Sequence, residues 1–278
     1  MKSKTKERSS EIEVMPLSQE EVTFCILGET PFYCNRVTEK AKRELLFPRG
    51  RMTTAQKATN LKHDPLQEYR DSPYSRKGDG PTRIMMLATA FKGCIGQAAI
   101  DMPTAVAKAQ IDRLVYVVDE FVPIWGTPVL DMAVVRSADM ARTPDIRTRA
   151  RLNKWASIVT IRYTVPIVTE KVVATLLSSA GIMCGIGDFR QQKGKGNNGL
   201  FQIVSRDNKE FLELVAHGDM ATQDAALRDP EFSNSETEDL FMWFQEERKK
   251  RRQEPKPKAI ARGRKPKQIT EEYAEAAE

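Results

Sequence analysis

A chain of 278 residues that is 40% hydrophobic and 29% charged has enough apolar material for one large core or two small ones. No apolar run approaches the ~20 residues of a membrane span, the Lys-rich N-terminus lacks the apolar segment of a signal peptide, and four scattered cysteines without a CxxC pair argue against zinc and disulfide frameworks. The expectation is a cytoplasmic protein with no membrane partner, no metal and no cofactor.

The net charge of +6 is unevenly spread. Residues 248–267 hold eleven Lys/Arg against one acid, residues 268–278 hold four acids, and subtraction leaves the first 247 residues near neutral. Nucleic-acid contact by the body must therefore rest on local clusters rather than on overall charge.

Residues 1–20 are polar and read as a disordered lead-in. Glu21 to Tyr33 alternates as a first strand, interrupted at Gly28 and Pro31. Thr38 to Leu46 reads as a short helix that Thr38 can cap, with Ala41, Leu45 and Leu46 on its apolar face. From Met52 to Pro81 no periodicity is sustained. Arg83 to Met86 gives a short strand, and Thr89-Ala-Phe91-Lys92-Gly93 opens a small-residue helix running to Ile100. Gly93 and Gly96 weaken that helix, which suggests close approach by a backbone or a ligand. Leu114 to Phe121 and Ile124 to Val135 are extended. Between Arg136 and Arg151 lie five arginines (Arg136, Arg142, Arg147, Arg149 and Arg151) against Asp139 and Asp145. Trp155 to Ile167 is a strand with Ile158, Thr160, Arg162 and Thr164 on one face and Val159, Ile161, Tyr163 and Val165 on the other. Thr169 to Ala180 has a helical pattern, Leu200 to Val204 alternates as a strand, and Asn208–His217 and Asp239–Arg251 read as helices. The tail from 252 onward is assigned no structure.

Between that helix and strand lies Gly185-Ile-Gly187-Asp-Phe189-Arg190-Gln-Gln-Lys193-Gly194-Lys195-Gly196-Asn-Asn-Gly199. Flexible glycines interleaved with cations suit phosphate contact. Gly194-Lys-Gly196-Asn-Asn-Gly199 spells GxGxxG, but a dinucleotide site needs a strand before and a helix after, and the order here is the reverse. No Walker A pattern occurs. His63 and His217 are the only histidines, and no acid–base set can be placed around them, with His63-Asp64 the nearest to one. Asp119-Glu120 falls on adjacent strand positions that face opposite ways. No catalytic residues are expected, and the chain is not read as an enzyme.

The strand–helix–glycine loop–strand order, with Phe24-Cys-Ile-Leu-Gly-Glu-Thr-Pro31, Thr89-Ala-Phe91-Lys92-Gly93 and the glycine loop itself, resembles the RAMP superfamily of RRM-like proteins and within it the backbone subunits of CRISPR effector complexes. The resemblance implies an α+β fold, a ferredoxin-like or RRM-like palm over 21–218 with insertions at 50–82 and 114–155. A polar helical extension (219–251) and a disordered basic-then-acidic tail (252–278) follow. The palm's first half would use strand 21–33 and helix 38–46. The resemblance also implies binding of single-stranded nucleic acid, RNA first and DNA as the alternative, across the palm. The contacts would be Lys92, Gly93, Phe189, Arg190, Lys193, Gly194, Lys195 and Gly196, with Arg136, Arg142, Arg147, Arg149 and Arg151 on a projecting thumb and Ile146 or Met140 as wedges. Phe189, Tyr69, Tyr74 or Trp125 would stack on bases. Self-association along the strand or assembly with other subunits is expected. Two other classes fit the same features: a single-strand annealing protein that oligomerises on DNA, and a structural protein of a virus particle.

Overall fold

The structure, a computed structural model, describes residues 15–47, 62–102, 107–136, 142–193 and 196–253. The expectations for residues 1–14, 50–61 and 254–278, and for Met140, Gly194 and Lys195, fall outside the described residues. In chain order, β1 (Ser18–Gly28) and β2 (Phe32–Tyr33) precede α1 (Glu39–Leu46), α2 (Pro65–Asp71), β3 (Tyr74–Ser75) and β4 (Ile84–Leu87). Next come α3 (Ala88–Asp101), α4 (Lys108–Leu114), β5 (Val115–Val117), β6 (Phe121–Trp125), β7 (Pro128–Arg136), β8 (Pro144–Leu152) and β9 (Ala156–Val165). Then α5 (Glu170–Met183), β10 (Phe201–Val204), α6 (Lys209–His217), α7 (Met220–Arg228) and α8 (Ser235–Gln253) follow. The fold class is α+β.

The main sheet is antiparallel. β1 lies between β10 and β9, while the far edge of β9 takes β5 at one end and β6 at the other, and β6 leads on to β4 and β3. Together β1, α3, β5–β6, β9, α5 and β10 follow the βαββαβ order of a ferredoxin-like unit.

The expected alternation of β9 sets the two faces. Val159, Ile161 and Tyr163 are buried, while Ile158, Thr160, Arg162 and Thr164 are partly open, as in a sheet with unlike sides. β1 keeps the register, with Phe24 opposite Val159 and Thr23 opposite Thr160. The buried side rests on α3 and α5, which pack together and supply Phe91, Ile95 and Ala98 from one, Val173, Leu176 and Leu177 from the other. Full burial of each large side chain contributes about 1.5–3 kcal/mol. Trp155 closes one end of this core, its ring tilted against Phe32 at 5.5 Å and edge-on to Phe201 at 6.2 Å, with its indole N–H donating to Thr30 O at 2.8 Å. Gly28 is needed here, since a Cβ would lie 2.1 Å from Trp155 Nε1.

A second sheet, β2-β8-β7, stands beside the first. Tyr69 of α2 is buried against it and donates its hydroxyl to the carbonyls of Pro128 and Ala226, both at 3.1 Å. On α7, the buried Gln223 uses its whole amide: the oxygen accepts from Arg83 and Ile84 N–H at 2.8 Å, and the nitrogen donates to Ile124, Gly126 and Gly218 carbonyls. Every polar atom of that amide is satisfied, which is the condition for burying it.

Several boundaries differ from the sequence expectation. The helix of the first βαβ half is α3, not 38–46; α1 is capped by Thr38 as expected, but its Leu45 and Leu46 are exposed. The first strand breaks after Gly28, because Pro31 cannot donate to a ladder and the chain turns into the second sheet. Within 50–82, Asp64 and Pro65 start α2, a cap and N1 pairing that the polar composition masked. Within 114–155, β5 and β6 belong to the palm, so the insertion narrows to the β7–β8 hairpin. The lead-in ends before Ser18, where β1 begins. The chain divides into compact units 1–239 and 240–278, so α7 belongs to the first unit and not to a separate extension from 219. The second unit holds most of α8, where Met242 and Trp243 are exposed.

Candidate nucleic-acid interface

The glycine loop leaves α5 at Cys184 and returns to β10 by a route that its glycines make possible. Gly185, Gly187 and Gly199 have φ of +67°, +85° and +73°, a region costly for other residues. The two limbs touch: a Cβ on Gly196 would sit 1.6 Å from the Phe189 carbonyl oxygen. Main-chain bonds tie the limbs together and to the β1–β2 turn: Ile186 N–H to Gly199 O (3.0 Å), Gly199 N–H to Pro31 O (2.9 Å), Asp188 N–H to Tyr33 O (3.1 Å) and Gly185 N–H to Ala180 O (3.0 Å). These N–H groups are spent inside the protein. Phosphate contact by them, as the sequence suggested, is replaced by a role in closing the loop.

What the closed base holds outward is Phe189. Its φ is +51° and its side chain is 54% exposed; a bulky residue in that conformation is strained. Beside it, the half-buried Arg190 donates from Nη1 to Gly187 O at 3.1 Å and from Nε to Gln192 Oε1 at 3.0 Å, so part of its guanidinium braces the loop. Gln191–Lys193 form a 3₁₀ turn. Gln192 also reaches Gln97 of α3 at 3.2 Å. Gly93 lies one turn before Gln97 on the same helix face, is exposed, and has no atom within 4 Å of where a Cβ would stand. Lys92 adjoins it, half-buried. The sequence-predicted pair Lys92–Gly93 and the loop are thus neighbours.

The arginines of the hairpin divide. Strand alternation puts Arg147, Arg149 and Arg151 on one face of β8. At the base, the buried Arg149 pairs with Asp188 of the glycine loop. Its guanidinium lies 4.9 Å from the centre of the Tyr33 ring, with that of Arg151 at 5.6 Å. Arg151 approaches Asp131 at 3.8 Å, and Asp131 accepts from Ser233 at 2.7 Å. Burial, and then the Asp131 carboxylate, push the Tyr33 phenol above its ordinary range, against the pull of Arg151 and Arg149. Beneath it, burial pushes the Cys34 thiol up to about 12. Tyr33 therefore stays a neutral ring between cations. At the far end, Arg136, Arg142 and Arg147 are exposed, Arg142 in the turn with φ +45°. Arg136 sits on the opposite strand face from Arg147.

Other candidates are placed elsewhere. Tyr69 and Trp125 are buried, and Tyr74 packs 5.9 Å from Phe121, so Phe189 alone of the four is presented to solvent. The open sheet face is not continuous: Phe211, Leu214 and Val215 of α6 cover Cys25, Trp125, Ala156, Ile158 and Val204. A strand laid across the whole palm is blocked by that helix, which the sequence predicts as a helix without showing where it docks. The uncovered part carries Thr23 bonded to Thr160 at 2.9 Å and Arg162 bonded to Glu21 at 2.8 Å. Of the nearest acid–base set, Asp64 is spent capping α2, while His63 lies between Glu68 (2.8 Å) and Asp145 (3.0 Å). Among the described residues no cluster of three His, Cys, Asp or Glu could hold a metal, and no helix is long and apolar enough to cross a membrane.

No family model and no curated protein matches the chain. Among solved structures, a chain from a Type III-B Cmr-beta complex bound to cognate target RNA, determined by cryo-EM, is similar at 14% identity and a TM-score of 0.32. The match covers 67% of this chain and 59% of that one, less than two thirds of its length.

Proposed function

We propose that the protein binds single-stranded nucleic acid, RNA first, along the edge of the palm formed by the glycine-loop tip, the exposed side of α3 and the cationic face of the β7–β8 hairpin. The observation that carries this reading is Phe189: a large aromatic held outward at positive φ next to Arg190, on a loop that reaches α3 through the Gln192–Gln97 hydrogen bond. An exposed ring beside cations is the element that single-strand binders use for sequence-tolerant stacking, at about 1–3 kcal/mol per base. Arg147 extends the positive surface along β8, and Arg142 continues it at the turn. The resemblance of Gly185–Val204 to the RAMP glycine loop points the same way. Binding proceeds without a chemical step, and assembly with further copies or subunits along the strand fits the same reading.

The test is fluorescence anisotropy of a labelled single-stranded RNA with the full chain and its Phe189→Ala variant. Affinity should fall by about tenfold, the loss of one stacked base, with circular dichroism unchanged. Equal affinity for both proteins would remove Phe189 from the interface and this reading with it.

A further inference from the structure

Neither the glycine loop nor the hairpin accounts for α8. This helix of 19 residues carries Met242 and Trp243 side by side at 57% and 58% exposure, while Leu240 and Phe244 on its other side are partly buried. Helical spacing puts four exposed charges on the face of that apolar pair. Glu238 and Asp239 lie one turn before it, and Lys249 and Lys250 lie two turns after it. None of the four has an ion-pair partner among the described residues, whereas Arg251 is held within the helix by Glu247 at 2.8 Å. Two large apolar side chains in water, set between unpaired charges of opposite sign, make a surface suited to a partner.

The arrangement is self-complementary. Ser235–Gln253 has Phe244 at its middle; the two acids stand six and five residues before it, and the two lysines five and six residues after it. A second α8 laid antiparallel across a two-fold axis at the level of Phe244 sets Glu238 opposite Lys250 and Asp239 opposite Lys249 at both ends. The Met242 and Trp243 side chains of the two copies are enclosed between those ends. A parallel pairing would put acid on acid and lysine on lysine, which is repulsive. The same face argues against other occupants. Glu238, Asp239 and the exposed Glu246 would meet the phosphates of a nucleic acid or of an anionic lipid surface with like charge.

We infer that α8 is an antiparallel docking surface for a second copy of this chain, paired across a two-fold axis. The contact is separate from Phe189 and does not require the strand-binding reading. A single-helix contact falls in the small, weak class of interfaces. Sedimentation velocity on the nuclease-treated full chain, over about 1 μM to 1 mM, should therefore show the wild type passing from monomer to dimer mass. Trp243→Ala should weaken the dimer by about tenfold, the loss of a central aromatic anchor. Glu238→Lys with Asp239→Lys makes all four charged positions basic, and Lys249→Glu with Lys250→Glu makes all four acidic. Each variant alone should stay monomeric over that range, and an equimolar mixture of the two should dimerise. A wild type that stays monomeric at the highest concentration would overturn the assignment. So would a mixture that fails to dimerise although both variants keep their helicity by circular dichroism. Self-association that disappears on nuclease treatment would make nucleic acid the occupant, and flotation with phosphatidylglycerol vesicles in place of a dimer would make it a lipid surface; both contradict the proposal. Phe189→Ala should dimerise like the wild type while losing RNA affinity, so the two readings fail independently.

Discussion

The two ends of the β7–β8 hairpin carry the same residue type in opposite states. At the base, Arg149 and Arg151 are drawn in against Tyr33, Asp188 and Asp131; at the tip, Arg136, Arg142 and Arg147 stand in solvent. Charge counting cannot separate them, because the alternation of β8 is uniform and what differs is the neighbour. The base meets β2 and the glycine loop, while near the tip Asp145 meets Lys62 and His63 but Arg136, Arg142 and Arg147 have no ion-pair partner among the described residues. Arginine at the base therefore fixes the position of the loop, while arginine at the tip is free to meet a ligand.

The sharpest way to break this division is at the base. Arg149→Ala leaves Asp188 facing Tyr33 without its cation, and removing one partner of a buried pair costs about 3 kcal/mol or more. Urea denaturation should show a large fall in midpoint, with hydrogen exchange rising first in residues 185–199. A midpoint close to wild type would mean that the base arginines do not hold the loop.

At the loop tip, stability and binding should move in opposite directions. Phe189→Gly relieves a positive φ, which for a residue with a side chain costs about 1 kcal/mol, so the thermal midpoint should rise slightly while RNA affinity falls. If the midpoint drops instead, the ring is packed for structure rather than presented for stacking.

The hairpin tip should change binding alone. Arg142→Gln with Arg147→Gln should keep stability within about 0.5 kcal/mol. In a salt titration, the log–log slope for a single-stranded probe should become shallower by about 1.4, or ~0.7 for each phosphate contact removed. An unchanged slope would confine phosphate contact to other parts of the chain.

The smallest effect concerns Asp145, at the tip end of β8. Burial tends to raise its carboxyl, but hydrogen bonds from Lys62 and His63 win and hold it below the ordinary 3.8. A depressed folded-state value means stability that is present above the unfolded value and lost as pH falls through the folded one. Wild type should therefore lose stability on acidification from just above pH 3.8 downward, and Asp145→Asn should lose less over that window. Parallel pH curves for the two proteins would show that the contact with Lys62 and His63 contributes nothing.

The parts of the fold that local pattern could reveal were those with one strong period. β9, β4, α3, α5 and β10 were legible because their apolar or small residues repeat at one spacing. The cap at Thr38 is legible too and marks a real helix, α1, but the palm helix is α3, which has small residues and no cap and meets α5 through Cys94, whose thiol donates to Ala180 O at 3.4 Å. Pairing across distance was not legible. Nothing in the sequence near Phe211 says that it covers Cys25, and nothing near Arg149 says that Asp188 lies beside it. In the proposed site, Phe189, Arg190 and the Lys92–Gly93 pair were named by the family resemblance, with the interleaved glycines and cations drawing attention to the loop. The glycines stood out by their spacing, and that spacing serves chain contacts between Phe189 and Gly196 and between Ile186 and Gly199, with the N–H groups of Gly185 and Gly199 turned inward.

The claim that the loop tip and the hairpin, rather than the sheet face or the basic C-terminal tail, receive a single strand is tested most directly by photo-crosslinking. A 4-thiouridine-substituted RNA bound to the full chain, digested and mapped by mass spectrometry, should place crosslinks in peptides containing Phe189 and in those spanning Lys92–Gly93 and Arg142–Arg147. Crosslinks confined to residues 254–278, or concentrated on β1 and β9 around Thr23 and Thr160, would contradict the account.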